Sequence, residues 1–396
     1  YLLAPGTGIT STVPTTINST GLANMTGTSM AAPAIAGGVA IIRQMWPQMT
    51  GSNIVKLLLV TANKNLPGYN PITMGQGLMD LDKATRPVGA LGIATTGRLS
   101  GATTAATSTL LTTSGSASTG KVTNLMLIDS FDRDFYIKGK ALTSYRNAFE
   151  YNLNQNLMAY ASKNAYSQFN NYTDYVNIKK DNVEVKVFRD RAQNFGSSAQ
   201  GMIEASYVKE YDNYNVKFTG GTFNEANTWL GNSVSSLTGG GVNDRSSTSY
   251  LGVGVERNFS ETTHAYANFY HGVTFTGAHS DNVKKIGTVM SYTWSAGLEH
   301  SLNKKNKFGV MMYQPVTVYR AQADLNIPVG LDSEYKVIES KSADLAATVR
   351  ELRTGLYYKL TNDASGFMAF VENRHNFHGQ EGAKDNAVGI TFNKQF

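Results

Sequence analysis

Gly27-Thr28-Ser29-Met30-Ala31-Ala32-Pro33 decides how this 396-residue chain is read, because it sets a serine where a loop turns into a helix. Small residues continue through Ala34, Ala36, Gly37 and Gly38, while Ile35, Val39, Ile42 and Trp46 fall at steps of four, three and four. That pattern predicts a thin, nearly all-apolar helix suited to a core. A hydroxyl in its first turn lies at the positive end of the helix, and the Ser29 N–H, which no intrahelical bond needs, can face a developing oxyanion. Ala31 and Ala32 leave room for a substrate backbone and a partner imidazole. Pro33 has no N–H for the Ser29 carbonyl and keeps the first turn irregular. The plainer role is that Thr28 or Ser29 only caps a buried helix, as an isolated Ser there commonly does.

Outward from this motif, residues 1 to about 90 alternate strand and helix signals. An extended start runs through Ile9, and a second helix is expected from about Ser52 to Ala62, with Thr50 and Ser52 as candidate caps. Ile54, Val55, Leu58, Leu59 and Ala62 form its expected buried stripe, with Lys56 outside, and Gly75 and Gly77 punctuate the stretch after it. The segment reads as the closing portion of an α/β domain. From about Val88 to Thr123 the sequence dissolves into Ser, Thr, Gly and Ala, too small and polar to offset the entropy of ordering, and reads as a linker.

Beyond it the period changes to two. Val183, Val185 and Val187 alternate with Glu184 and Lys186, and Leu251, Val253 and Val255 alternate with Gly252, Gly254 and Glu256. The rhythm returns through Val388, Ile390 and Phe392, giving roughly ten to twelve segments. Between linker and strands, Phe149, Leu153, Leu157 and Tyr160 repeat at helical spacing in an Asn- and Gln-rich stretch.

Bulk properties narrow the classes. The chain is 41% hydrophobic and 16% charged with 38 Gly and 21 Tyr, an ordered composition favouring strands and turns. Its net charge of +6 is scattered, so no basic footprint for nucleic acid emerges. With no Cys, disulfide scaffolds, thiolate metal sites and cysteine nucleophiles are excluded. No run reaches the ~18 apolar residues of a transmembrane helix. Tyr1 opens the chain without initiator Met or signal-peptide pattern, which reads as a cut N-terminus.

The 27–33 motif resembles the nucleophile signature of the subtilase family of serine endopeptidases. The likeness continues in Ala4-Pro5-Gly6, in the Thr50 to Ala62 helix and in Gly75-Gln76-Gly77-Leu78-Met79-Asp80, covering about the first 85 residues. It implies Ser29 as the catalytic nucleophile, activated by a His that an Asp orients, with both preceding the Ser and an upstream Asn completing the oxyanion hole. Here no Asp precedes Ser29, and all six His, at 264, 271, 279, 300, 375 and 378, lie far downstream. Only Ser29 carries over, and the fragment alone is expected to be inactive. An α/β-hydrolase reading fails because Gly-x-Ser-x-Gly would need Gly where Ala31 stands. His375 and His378 with Glu372 suggest a metal site only weakly, since they read as loop residues.

Leu125 to Phe135 is similar to the start of the C-terminal region of autotransporter-type subtilases, and the closing residues Val388, Ile390, Phe392 and Phe396 resemble an outer-membrane insertion signal, with Lys394 departing from it. The fold expected is therefore multidomain: the C-terminal part of an α/β subtilisin-like domain at 1–90, a linker at 91–122, and an antiparallel transmembrane β-barrel of roughly twelve strands at 123–396. The resemblance implies a protease displayed or exported at the outer membrane of a diderm bacterium, acting on polypeptides. Its partners would be outer-membrane lipid and barrel-assembly machinery. It implies no cofactor beyond the calcium that subtilases commonly bind, with no ligand readable. Two rival readings stand: an outer-membrane anchor or translocator carrying an inert protease remnant, and a secreted protease with a soluble β-rich accessory domain.

Overall fold

The structure, a computed structural model, describes residues 1–94, 99, 103–105, 111–113, 124–138, 143–145, 166, 175–188, 199–226, 228–234, 237, 245–362, 365–379 and 381–394. The expected helix around Phe149 to Tyr160 and the terminal Phe396 lie outside them. The chain divides into two compact units, one of Tyr1–Ala106, Leu125–Ile137 and Pro328–Ile338, the other of Thr107–Asn124, Lys138–Ile327 and Glu339–Phe396.

In the first unit a hairpin of β1 (Ile9–Thr12) and β2 (Leu22–Met25) leads into α1 (Thr28–Met45), followed by α2 (Gly51–Thr61), α3 (Pro71–Met74) and α4 (Leu81–Thr85). Side-chain caps fix the starts of three helices. Thr50 Oγ1 accepts from the Asn53 N–H, Asn70 Oδ1 from the Ile72 N–H, and Asp80 Oδ1 from the Lys83 N–H. The core joins Ile42, Trp46, Met49, Ile54, Leu57, Leu58 and Ala84.

The helices depart from expectation in two respects. The first helix is not buried all round: within α1 only Gly38 and Ile42 are buried, and Ala36, Gly37, Ile41 and Met45 are exposed. In α2 the buried stripe is Ile54, Leu57, Leu58 and Thr61, while Val55 is 51% exposed. At about 100° per residue, steps of three and four keep one face, and Val55 turns away from it.

Gly38 shows how the closing stretch docks on α1. A Cβ there would lie 2.5 Å from Met79 Sδ, so the absence of a side chain admits the 75–80 segment. That segment also bridges Leu3 in parallel and Asn63 antiparallel through Leu78. A four-stranded sheet comes next, in the order β4 (Thr103–Ala105), β3 (Gly92–Ala94), β5 (Asn124–Ile128), β6 (Asp134–Lys138). Strand structure thus reaches into the stretch read as a linker, where Leu111–Thr113 is also extended and pairs with Ser233–Val234 and Thr143–Tyr145.

The second unit is built on an 11-stranded antiparallel meander. Its strands are β7 (Tyr175–Lys180), β8 (Val183–Phe188), β9 (Ala199–Glu210), β10 (Tyr214–Ala226), β11 (Arg245–Asn258) and β12 (Thr263–Thr276). They continue as β13 (Val289–Ser301), β14 (Asn306–Arg320), β15 (Leu352–Asn362), β16 (Ser365–His375) and β17 (Lys384–Lys394). Each strand pairs with its neighbours in sequence, and among the described residues β7 and β17 have one partner each. A closed barrel of roughly twelve strands is thus not what the described residues form: they give eleven strands and an unclosed sheet. Connections at one end are short, as at 181–182, 211–213, 259–262 and 302–305, and at the other long, as at 277–288 and 321–351.

Alternation along these strands exposes the apolar set. Leu251, Val253 and Val255 on β11, Phe269 on β12, Leu298 on β13, Phe308 and Val310 on β14, and Val388, Ile390 and Phe392 on β17 are all exposed. The opposite face buries Thr219, Thr248, Thr274, Ser291, Thr293, Glu299, Arg353, Glu372 and Arg374 among large aromatics. Those aromatics rest on glycines directly across the ladder, as in Tyr250 on Gly221, Tyr270 on Gly252, Tyr357 on Gly309 and Phe370 on Gly389. Hydroxyls and carboxylates then bridge strands two apart: Tyr313 donates to Glu372 Oε2 at 3.0 Å and Tyr357 to Glu299 Oε2 at 2.9 Å. Tyr166, fully buried, stacks on Tyr250 at 4.8 Å and shares a 2.8 Å hydrogen bond with Ser291 on this polar face.

Candidate active site

Ser29 is the second residue of α1, directly after the non-helical Gly27 and the first helical residue Thr28. The hairpin aims the chain into this turn. The Gly27 N–H donates to Gly6 O at 2.8 Å, and Gly8 N–H to Thr26 Oγ1 at 3.0 Å. Gly6 is pressed against the same turn, since a Cβ there would meet Gly27 O at 2.8 Å and the Ala31 Cβ at 3.1 Å. Ala4-Pro5-Gly6 and Gly27-Thr28-Ser29 therefore form one locally packed corner.

Within it the Ser29 side chain is exposed, and its hydroxyl makes no hydrogen bond to any described residue. The Gly27 carbonyl accepts from the Met30 N–H at 3.1 Å, leaving the Ser29 N–H as one of the orphan donors of a helix start. No side chain caps this end, and no acidic residue occupies the first turn. The helix dipole there faces outward unneutralised. Pro33 sits inside α1, so the Ser29 carbonyl lacks its usual donor four residues on. The corner combines a free hydroxyl with an adjacent free N–H, the two groups an acyl transfer needs on the enzyme side of the carbonyl. The capping role is absent, since Ser29 lies inside the helix and bonds no backbone N–H.

Within its own unit no described residue hydrogen-bonds the Ser29 hydroxyl as a base. All six His belong to the second unit. There His264 faces Glu256 and Glu299, His271 bonds Tyr319 at 2.7 Å, and His300 bonds Thr263 at 2.7 Å. Glu372, read beside His375 as a conceivable ligand, is buried and engaged by Arg374 and Tyr313. Among the described residues no three His, Asp or Glu side chains gather into a metal-binding cluster.

Sequence reasoning missed a buried ion pair that fastens this unit together. Asp129 and Arg133 form a fully buried ion pair with N–O distances of 2.6 and 3.0 Å. Arg133 also donates to the Ala84 and Arg86 carbonyls at the C-terminal end of α4, and lies 4.6 Å over the Trp46 ring. Asp129 accepts in turn from the Val88, Phe131 and Arg133 N–H groups. The segment read as the start of the C-terminal region is thus fastened to the helices of the Ser29 unit.

Comparison with known proteins places the likeness in the same residues. Residues 1–78 match the Subtilase family, Peptidase_S8. Subtilisin-like protease SBT3.10 of Arabidopsis thaliana is 32% identical over 100 residues, 22% of this chain and 13% of that protein. Alkaline elastase YaB of Bacillus sp. (strain YaB) is 40% identical over 85 residues, 22% of this chain and 21% of that protein. The chain therefore spans about a fifth or less of these relatives. Among solved structures, OmpT, an outer membrane protein of Vibrio cholerae, aligns with 55% of this chain and 62% of its own at 12% identity and a TM-score of 0.32. The CymD monoaromatic hydrocarbon channel aligns with 56% and 68% at 11% identity and 0.29, and both scores are too low to argue from. The relation to known proteins is a subtilase-family serine protease similarity over the N-terminal part, and Ser29 lies inside it.

Proposed function

We propose that Ser29 is the nucleophile of a subtilisin-like serine endopeptidase, and that the strand-rich unit is an autotransporter-type outer-membrane β-barrel that anchors or exports it. The observation that carries the first part is the free, exposed Ser29 hydroxyl at the start of α1, inside a stretch matching the Subtilase family. In this reading Ser29 Oγ attacks the carbonyl of a polypeptide and forms an acyl-enzyme, which water hydrolyses. The Ser29 N–H donates to the oxyanion, and the general base belongs to sequence outside this chain. Ser29→Ala in a protein that carries the whole peptidase should abolish proteolysis while leaving folding intact; retained turnover would overturn the assignment.

The barrel half rests on polarity. A soluble sheet hides its apolar face, yet here Leu251, Phe269, Val388, Ile390 and Phe392 are exposed, and the buried face sets hydroxyls and charges among aromatics and methionines. That inversion, with short connections at one end and long ones at the other, is the pattern a sheet in lipid requires. It favours the outer membrane and its assembly machinery over the soluble accessory-domain reading. The rival reading is an outer-membrane anchor or translocator whose protease part is inert. A fluorophosphonate probe separates the two, since an active peptidase is labelled at Ser29 and a remnant is not.

A further inference from the structure

Four arginines of β14 to β16 and the connection between β14 and β15 fall into two classes. Those on the buried face are saturated: Arg353 Nε donates to Glu351 at 2.6 Å and its Nη1 to Tyr313 at 3.1 Å, and Arg374 donates to Glu372 at 2.5 Å and to Asp385 at 3.1 Å. Arg320, the last residue of β14, and Arg350, two residues before β15, are exposed and have no carboxylate partner among the described residues. Both stand at the long-connection end of the sheet.

An outward-facing aromatic cluster lies under Arg350 and ends at Tyr319, one residue before Arg320. The Arg350 guanidinium lies 5.7 Å over the Tyr292 ring. Tyr292 stacks with Phe269 at 6.2 Å and meets Tyr319 edge-on at 5.8 Å. Tyr319 is tied to His271 by a 2.7 Å hydrogen bond and precedes Arg320, which pairs in register with Met290. A guanidinium held over a ring keeps N–H groups to spare, and Arg350 has no carboxylate partner among the described residues. At a lipid rim a guanidinium edge lacking a protein anion takes one from the lipid, and phosphate fits its fork in bidentate fashion.

We infer that Arg350 and Arg320, with Tyr292 and Tyr319, form a binding site for the phosphate group of an anionic lipid in the leaflet at the long-connection end. This rests on the barrel reading. Long connections mark the outer side of such barrels, so the phosphate is that of an outer-leaflet lipid.

The test uses the full chain folded in micelles of a zwitterionic detergent, with diphosphorylated lipid A and its dephosphorylated form as probes and native mass spectrometry as the readout. Wild type should retain the phosphorylated lipid over the dephosphorylated one. R350Q and R320Q should each weaken retention about fivefold, and the double variant about twentyfold, the amount one membrane-surface cation supplies per site. Equal retention of the two lipids, or an unchanged double variant, overturns the site. If a variant does not fold, the wild-type comparison between the two lipids still decides. Heat-modifiable gel migration keeps the two readings apart. A wild-type chain that migrates as a barrel but ignores phosphate refutes the lipid site alone, whereas one that never becomes heat-modifiable refutes the barrel and the site with it.

Discussion

Arg133 is the residue whose loss should cost the first unit most. Its guanidinium is fully buried, paired to Asp129 and bonded to two carbonyls, so removing it leaves the buried Asp129 carboxylate without its counter-charge. Arg133→Ala is expected to destabilise by about 3–5 kcal/mol, whereas replacing both partners with apolar residues of similar volume should cost far less. Denaturant titration followed by the fluorescence of Trp46, on which Arg133 stacks, measures both. Asp132, next door, acts in the opposite sense. Burial, and secondarily the Asp129 charge, push its carboxyl above the usual range. A carboxyl raised on folding contributes stability that is full below its unfolded pKa and lost as pH rises through the folded value. Asp132 is therefore a net cost at neutral pH. Its φ of 58° lies in the left-handed region, which Asn also tolerates. Asp132→Asn should raise stability at pH 7, with the gain vanishing near pH 3, and equal gains at both would disprove the cause. Asp80 has the reverse sign: the Lys83 backbone N–H, followed by its side chain, lowers the pKa, so the cap stabilises above the unfolded value and weakens as pH falls through the folded one.

Elements carry the glycine and aromatic pairing. A Cβ on Gly252 would sit 2.0 Å from the Tyr270 ring opposite it on β12, and Tyr270 is buried with no open side to move to. Gly252→Ala should therefore displace the ring and destabilise by about 1–3 kcal/mol, as overpacked cores do. Gly201, with nothing near its Cβ position, is the control, and Gly201→Ala should be close to neutral in the same denaturant titration. These pairs illustrate what a sequence can and cannot convey. Alternation in Leu251, Val253 and Val255 locates β11, and Thr50 announces α2, because both signals are local. The corner at Ser29 is legible for the same reason, since its glycines, serine and proline act within a few residues. Gly252 reads only as a member of the alternation, because the ring it accommodates arrives from another strand. Asp129 and Arg133 give no local signal of their pairing for a related reason: their partners Ala84, Arg86 and Trp46 lie more than forty residues away. Val55 falls into the wrong stripe because an apolar run satisfies several helical stripes at once, and only the packed neighbours choose among them.

At the scale of the whole molecule, one substitution separates a sheet in lipid from a sheet in water. Leu251 is in the middle of β11 and 73% exposed, flanked on its own face by Val253 and, across the ladder, by His271. If the meander spans a bilayer, a charge at this depth must leave hydrocarbon or drag water in, and Leu251→Arg should cost about 2–4 kcal/mol of folding into vesicles. If the sheet is a soluble accessory domain, the same side chain enters water and the change should stay within about 0.5 kcal/mol. A urea titration in lipid vesicles reads the difference, with Leu251→Ala separating lost apolar area from the charge itself. Depth supplies a further check. Lys307, at the short-connection end of β14, already carries a charge near the sheet's rim, so an Arg placed at Phe308 should be penalised less than one at Leu251. A penalty that is large at Leu251 and small at Phe308 reflects a membrane's profile of polarity and has no counterpart in a soluble sheet, where exposure alone would rank the two sites.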